Sequence, residues 1–122
     1  SDAVFATWKA DLLELARCPN VVVKLGGLGM DIGPFVAHVQ RPAPPNSAEI
    51  AAAWKPWIET CIEAFGPERC MFQSNFPVDK GTCSYVVLWN AFKRIAQGMS
   101  AAEKNALFHD TAARVYRIEL KR

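Results

Sequence analysis

The chain has 122 residues, of which 51% are hydrophobic and 21% charged, and its net charge is +2. This composition excludes an intrinsically disordered chain and predicts one folded domain over residues 1–122. The basic residues are scattered, whereas a nucleic-acid surface needs a basic stripe, so we expect no nucleic-acid partner. The longest strongly apolar run, residues 21–23, is far shorter than the ~20 residues of a membrane span, so we expect no membrane association.

The cysteines predict a reduced protein without a zinc site of its own. No C-x-x-C pair is present and the chain has only two histidines. Three of the thiols lie in apolar surroundings, which is typical of buried free cysteines in a cytoplasmic protein. The chain also opens without a charged leader and apolar segment, so we expect no secretory signal. The four cysteines are Cys18, Cys61, Cys70 and Cys83.

The first third of the chain predicts a helix, a short strand and a long loop. Apolar residues at helical spacing, with charged residues between them, predict an amphipathic helix over residues 2–17. Residues 21–25 form a β-branched run between a turn and two glycines, which predicts a buried strand. Residues 26–46 lack periodicity and are rich in Gly and Pro, which predicts a long loop of the kind found near functional sites.

The central segment predicts a second helix and a second strand. Apolar positions recur from Ile50 to Phe65, and Asn46 with Glu49 has the spacing of a capping box. Pro56 leaves two alternatives open, a kink in the helix or a main body that begins at Lys55. A Gly-Pro pair at 66–67 ends the helix, and residues 70–72 read as a buried strand.

The last part of the chain predicts two helices and completes an alternating pattern. Apolar residues from Tyr85 to Ile95 mark one helix, and Ser100 with Glu103 forms the capping box of another. Helices that alternate with strands favour an α/β fold with a parallel sheet, and two strands are too few to complete one. Six aromatic residues are expected to face the core and to promote self-association where they are uncovered: Trp54, Trp57, Phe65, Tyr85, Trp89 and Phe92.

Four motifs occur in a fixed order: NVVVKLG at 20–26, FGPERCMF at 65–72, SNFPVD at 74–79 and AARVY at 112–116. In these motifs the chain resembles the amidohydrolase-related metal-dependent hydrolases, TIM-barrel enzymes that include decarboxylases and lactonases. The resemblance implies the C-terminal portion of a (β/α)8 TIM barrel, with two short parallel strands and about four helices. A whole barrel needs about 250 residues, so the N-terminal half, which carries the family's metal-binding histidines, is expected to be missing.

The resemblance also implies where a site would lie. Active sites of such barrels form at the carboxyl ends of the strands, here residues 24–27 and 73–79. This places Asn75 and Asp79 as catalytic candidates, and Lys24, Gly26 and Ser74 as substrate-binding candidates. The alternative makes Lys24 an edge residue with an apolar stem, and residues 75–77 an ordinary exit from a strand.

Asn75 stands where members of the family carry the aspartate of the last strand. That carboxylate typically binds a metal and takes a proton from the attacking water, and a neutral amide is not a base. Three explanations are open: Asp79 is the base, the base lies on another strand, or activity has been lost. We expect no metal ligand and no cofactor within this chain, and the asparagine weakens the expectation of zinc or manganese in the parent enzyme.

The leading hypothesis is part of a hydrolase for a small carboxylate-bearing lactone or amide, inactive as an isolated chain. The alternative is a non-catalytic half-barrel that self-associates, so that the partner is either a second copy or the missing half. A nucleotide-binding loop is disfavoured because Gly27-x-Gly29 is followed by Ile32, where a third glycine is needed. His38 and His109 are expected to be solvated or capping residues.

Overall fold

The computed structural model describes residues 1–29 and 42–119, which fold into helices packed on a two-stranded parallel sheet. The predicted α/β pattern of two parallel strands and about four helices is confirmed in this part of the chain, and His38 lies outside it. The elements are α1 (Asp2–Ala16), β1 (Val23–Leu25), α2 (Ser47–Phe65), β2 (Cys70–Phe72), α3 (Tyr85–Ile95), and a last helical run of α4 (Ala101–Asn105), a wide π-helical turn (Ala106–Asp110) and α5 (Thr111–Val115).

Helix boundaries follow the predicted caps. Asn46 and Glu49 form a reciprocal capping box, so α2 begins at Ser47 and runs through Pro56. The alternative in which the main body begins at Lys55 is therefore wrong. Every helix in residues 1–29 and 42–119 is too short or too polar to cross a bilayer.

The last helical run begins at the second predicted capping box. The Ser100 hydroxyl accepts from the Glu103 N–H, and the Glu103 carboxylate accepts from the Ser100 N–H. These hydrogen bonds hold the pKa of the Glu103 carboxyl below its ordinary value. The predicted start of this helix is confirmed.

The sheet pairs Val23 with Cys70 and Leu25 with Phe72 in parallel register. The first strand begins two residues later than predicted, because the Val21 N–H is held in a turn by the Cys18 carbonyl at 3.2 Å. Both strands are three residues long, and among the described residues each has one neighbour in the sheet.

The core lies between β2 and the helices α2 and α3. The ring of Phe72 stacks on Phe92 at 4.7 Å between centroids and also contacts Phe108. Trp54 is 1% exposed and lies beside Phe92. Tyr85 is 53% exposed, so its predicted burial is wrong: it begins α3 at the surface. Of the other aromatic residues predicted to face the core, Phe65 is buried, and Trp57 and Trp89 are half-buried.

The guanidinium of Arg69 joins three parts of the fold. It donates to the carbonyls of Ala16 and Cys18, both at 3.0 Å, and to that of Val21 at 3.4 Å. Its Nε donates to the carbonyl of Phe65 at 3.1 Å, and its charge lies 4.9 Å from the Phe65 ring centroid. One side chain thus satisfies carbonyls at the end of α1, ahead of β1 and at the end of α2.

Arg69 belongs to the turn Pro67–Arg69. The carbonyls of this turn accept hydrogen bonds from side chains of the last helical run. The hydroxyl of Thr111 donates to the Pro67 carbonyl at 2.8 Å, and the Arg114 guanidinium donates to the Glu68 carbonyl. The FGPERCMF and AARVY segments, 40 residues apart in sequence, therefore meet at this turn.

Replacing Arg69 by lysine keeps the charge and removes the fork of donors. We expect the free energy of unfolding to fall by about 2–3 kcal/mol, because several carbonyls lose their donor at once. Urea denaturation measures the change. Arg17→Lys is the matched control, because Arg17 forms only an exposed ion pair with Glu14. Equal midpoints for the two variants would contradict the role given to Arg69.

The buried thiols predict a loss of stability at high pH. Burial raises the pKa of Cys70 to about 12 and that of Cys61 to about 11. Between pH 9 and 11 the folded chain therefore keeps protons that the unfolded chain releases, so stability falls as pH rises, by about 1.4 kcal/mol per pH unit for each thiol. Denaturation from pH 8 to 10.5 should show a shallower decline for Cys70→Ala. Cys18→Ala, which removes an exposed thiol, should leave the decline unchanged.

Candidate functional site

The carboxyl ends of β1 and β2 touch at Gly26 and Gln73. The Gln73 N–H donates to the Leu25 carbonyl at 3.2 Å, which extends the ladder beyond β2. A Cβ on residue 26 would lie 2.3 Å from the Gln73 carbonyl oxygen and 2.7 Å from its Cγ. Only glycine fits at this distance, so Gly26 allows the two strand ends to lie side by side.

The residues after β2 form a closed turn between Asn75 and Asp79. The Asn75 N–H donates to Oδ2 of Asp79 at 2.8 Å, and the Asp79 N–H donates to the Asn75 carbonyl at 3.1 Å. A cis peptide bond between Phe76 and Pro77 lies within this turn. Asp79 therefore reaches back to the strand end despite the intervening proline, and its carboxylate holds the backbone of Asn75.

Asp79 is 1% exposed and lies beside Gly29, four residues after β1. A Cβ on Gly29 would lie 3.5 Å from Oδ1 of Asp79, and the Thr82 hydroxyl donates to the Gly29 carbonyl at 2.7 Å. Within the described residues, this Oδ1 has no hydrogen-bond partner. Burial, and secondly the charge of Asp79, raise the pKa of the neighbouring Cys83 thiol to about 11.

Lys24 and Ser74 complete the set of predicted residues. Lys24 is exposed, and its Nζ donates to the Tyr116 hydroxyl at 3.5 Å, so the first and last motifs meet at these two side chains. Ser74 is half-buried between Gln73 and Asn75. The fold thus brings Gly26 to Gln73, Asn75 to Asp79 and Lys24 to Tyr116.

Sequence reasoning missed Thr82 and considered Gly29 only as part of a nucleotide-binding loop. Thr82 fixes the loop after β1 onto the turn after β2, and Gly29 gives the space beside Asp79. The only signal in the sequence is a hydroxyl residue three positions after Asp79, which is too common to single out.

The metal-binding side chains among the described residues do not form a metal centre by themselves. Within residues 1–29 and 42–119, no three His, Cys, Asp or Glu side chains lie close enough to hold a metal ion. His109 is exposed and pairs with Asp110 at 2.7 Å, as expected of a solvated histidine. Any metal at the Asn75 end would need further ligands from outside this part of the chain.

Comparison with known proteins identifies the family. The amidohydrolase family model matches residues 1–118, and the chain belongs to this family. The chain is 38% identical over 120 residues to L-fucono-1,5-lactonase from Burkholderia multivorans, and 43% identical over 114 residues to the uncharacterized protein y4mH from Sinorhizobium fredii. It spans 36% and 34% of the length of these two proteins, while they match 94% and 93% of the chain.

Two solved structures also match nearly all of the chain and extend well beyond it. An amidohydrolase from B. multivorans with bound HEPES matches 98% of the chain at a TM-score of 0.81 and 33% identity. A second crystal structure of an amidohydrolase from B. multivorans, with bound zinc, matches 97% at a TM-score of 0.80 and 34% identity. The chain covers 39% of each of these structures.

The contact at Gly26 gives a test of the strand-end geometry. Gly26→Ala should lower the free energy of unfolding by about 1–3 kcal/mol, because the new methyl group collides with the backbone of Gln73. Thermal and urea unfolding measure the loss. Gly98→Ala is the matched control, because its Cβ would meet nothing within 4 Å. If the two variants are equally stable, the strand ends are not packed as described.

Proposed function

We propose that residues 1–118 form the C-terminal part of a (β/α)8 hydrolase barrel whose substrate is a small carboxylate-bearing lactone or amide. In this proposal β1 and β2 are the last two strands of the barrel. The match to a lactonase over 94% of the chain supports a lactone as the substrate class. The position of Asn75 at the carboxyl end of β2 carries the proposal, because such ends form the active sites of these barrels.

Asn75 is proposed to orient the substrate carbonyl or the attacking water. Its amide can donate and accept hydrogen bonds but cannot remove a proton from water. The Asp79 carboxylate holds the backbone N–H of Asn75 at 2.8 Å, which fixes the direction in which the strand end leaves the sheet. The proposed contribution of this turn to hydrolysis is therefore placement of polar groups around the reacting carbonyl.

Asp79 is proposed as the positioning residue of this site. Asp79 is 1% exposed and accepts a hydrogen bond from the Asn75 N–H. Of the three explanations for the asparagine at position 75, these two facts favour a base on another part of the barrel. A buried carboxylate that already accepts a backbone hydrogen bond is poorly placed to meet a water molecule that enters from solvent.

Lys24 and Ser74 are proposed to contact the substrate. The ammonium of Lys24 is exposed beside the Tyr116 hydroxyl and can pair with a substrate carboxylate. Ser74 offers a hydroxyl next to Asn75, and Gly26, which packs against Gln73, holds the end of β1 beside them. No catalytic step is assigned to a metal, since the described side chains supply no complete ligand set.

The isolated chain is expected to show no turnover of L-fucono-1,5-lactone, so the test of Asn75 uses a complete barrel. Residues 1–118 replace the matched segment of the B. multivorans lactonase, and the chimera is assayed with asparagine, aspartate or alanine at position 75. We expect Asn75→Asp to change kcat by less than about tenfold, because the base lies on another part of the barrel and a second carboxylate adds no proton transfer that the reaction lacks. The pH profile of kcat should then show no new ionisation.

Two controls accompany the chimera. Asn90→Asp makes the same chemical change on the exposed surface of α3 and should leave kcat unchanged. Asn75→Ala should lower kcat/KM below that of the asparagine chimera, because the amide no longer orients the substrate. If the asparagine and alanine chimeras turn over equally, Asn75 does not contribute to the site.

A further inference from the structure

A polar cleft of about 300 Å³ lies between the first turn of α2 and the C-terminal end of α3. The side chains that line it are polar or cationic and include Ser47, Lys93, Arg94 and Gln97. None of its lining residues belongs to β1, to β2 or to the turn after β2. The cleft therefore shares no residue with the candidate hydrolase site.

The guanidinium of Arg94 is held in place at this cleft. Its Nε donates to the Ser47 hydroxyl at 2.9 Å, which joins the last turn of α3 to the first residue of α2. Within residues 1–29 and 42–119, its two terminal nitrogens have no hydrogen-bond or ion-pair partner. They form a planar fork of donors, the geometry that binds two oxygens of one oxyanion.

The cleft carries positive charge that no carboxylate balances. Lys93 and Arg94 are consecutive exposed cations, and neither forms an ion pair in the part of the chain that the structure describes. Among the described residues, no Asp or Glu lines the cleft. Glu49, in the first turn of α2, instead accepts the Asn46 N–H in the capping box. The cleft therefore offers donors and positive charge, which suit an anion.

We propose that this cleft binds a phosphoryl group, either free phosphate or the phosphate of a small ester. A phosphoryl dianion matches the two cations in charge, whereas a carboxylate would leave one of them unmatched. Arg94 supplies the fork for two oxygens, and Lys93 supplies a point charge. The amide of Gln97 can donate to a further oxygen. The volume of the cleft lies at the lower end of the range for small-molecule sites, which leaves room for an esterified group.

The alternative is that the two cations only balance the carbonyl end of α3. Basic side chains are favoured in the last turn of a helix because of the partial negative charge there, and both residues lie in that turn. This role requires no contact with another helix. Arg94, however, is bonded to Ser47 of α2, and its guanidinium lines a cleft that both helices form. These two observations favour a ligand site.

The experiment follows the backbone amide signals of the full 122-residue chain by NMR at about pH 7.5, where a phosphoryl group is mostly a dianion. Sodium phosphate and glycerol 3-phosphate are titrated at constant ionic strength, balanced with sodium chloride, because salt screens exposed charges. We expect saturable shifts at Ser47, Arg94 and Gln97 with a Kd of about 1–10 mM. An ester that binds more tightly than phosphate identifies a small phosphate ester as the ligand, and one that does not identifies free phosphate.

Two variants and two matched controls test the cations. Lys93→Gln and Arg94→Gln each remove one positive charge from the cleft and should raise the Kd about tenfold. Lys9→Gln and Arg17→Gln remove the same charges from exposed positions at α1 and should leave the Kd unchanged. The Lys93 side chain forms no hydrogen bond among the described residues, so Lys93→Gln keeps the test available if Arg94→Gln does not fold.

Each outcome is decisive for the cleft. Saturable shifts that the Lys93 and Arg94 variants weaken, and that the controls do not, support the phosphoryl site. Shifts that do not saturate, that sodium chloride alone reproduces, or that Lys9→Gln weakens equally overturn it. If the α3 variants lower the free energy of unfolding but leave the Kd unchanged, the cations serve only the end of the helix. No readout involves lactone turnover, so this site and the proposed function can fail separately.

Discussion

The Arg69 guanidinium is the interaction on which the arrangement of this chain depends. Helix ends leave backbone carbonyls without partners, and in short elements these carbonyls are a large share of the polar groups. Arg69 satisfies carbonyls of Ala16, Cys18, Val21 and Phe65 from one position just ahead of β2. It therefore sets where α1 and β1 lie relative to α2, which three-residue strands alone cannot do.

The candidate site depends on this arrangement one step further along the chain. Because β1 and β2 are held in register, Gly26 lies against Gln73, and the turn from Asn75 to Asp79 begins at a defined point. The Asp79 carboxylate then closes the turn from beneath, and Thr82 ties it to the loop after β1. The polar groups at the strand ends are thus held by buried contacts, as a site that must place substrate atoms requires.

The same geometry explains why the apolar surface is uneven. The face of β2 is covered by α2, α3 and the last helical run, whereas α1 stands over an apolar groove beside β1. The chain spans about a third of the length of its curated relatives and covers 39% of a solved amidohydrolase that matches nearly all of it.

The sequence by itself determined the order of elements, their approximate boundaries and the caps at Asn46 and Ser100, because side-chain periodicity and local hydrogen bonds depend on neighbours in sequence. The family followed from the resemblance of four motifs in a fixed order. The resemblance also marked Asn75 and Asp79 as candidates in the same segment, residues 73–79. Only the tertiary structure decided that Asp79 is buried and bonded to Asn75, that Arg69 joins three elements, and that Gly26 lies against Gln73. Such contacts form between segments as far apart as Gly26 and Gln73, where packing, and no local pattern, sets the distance.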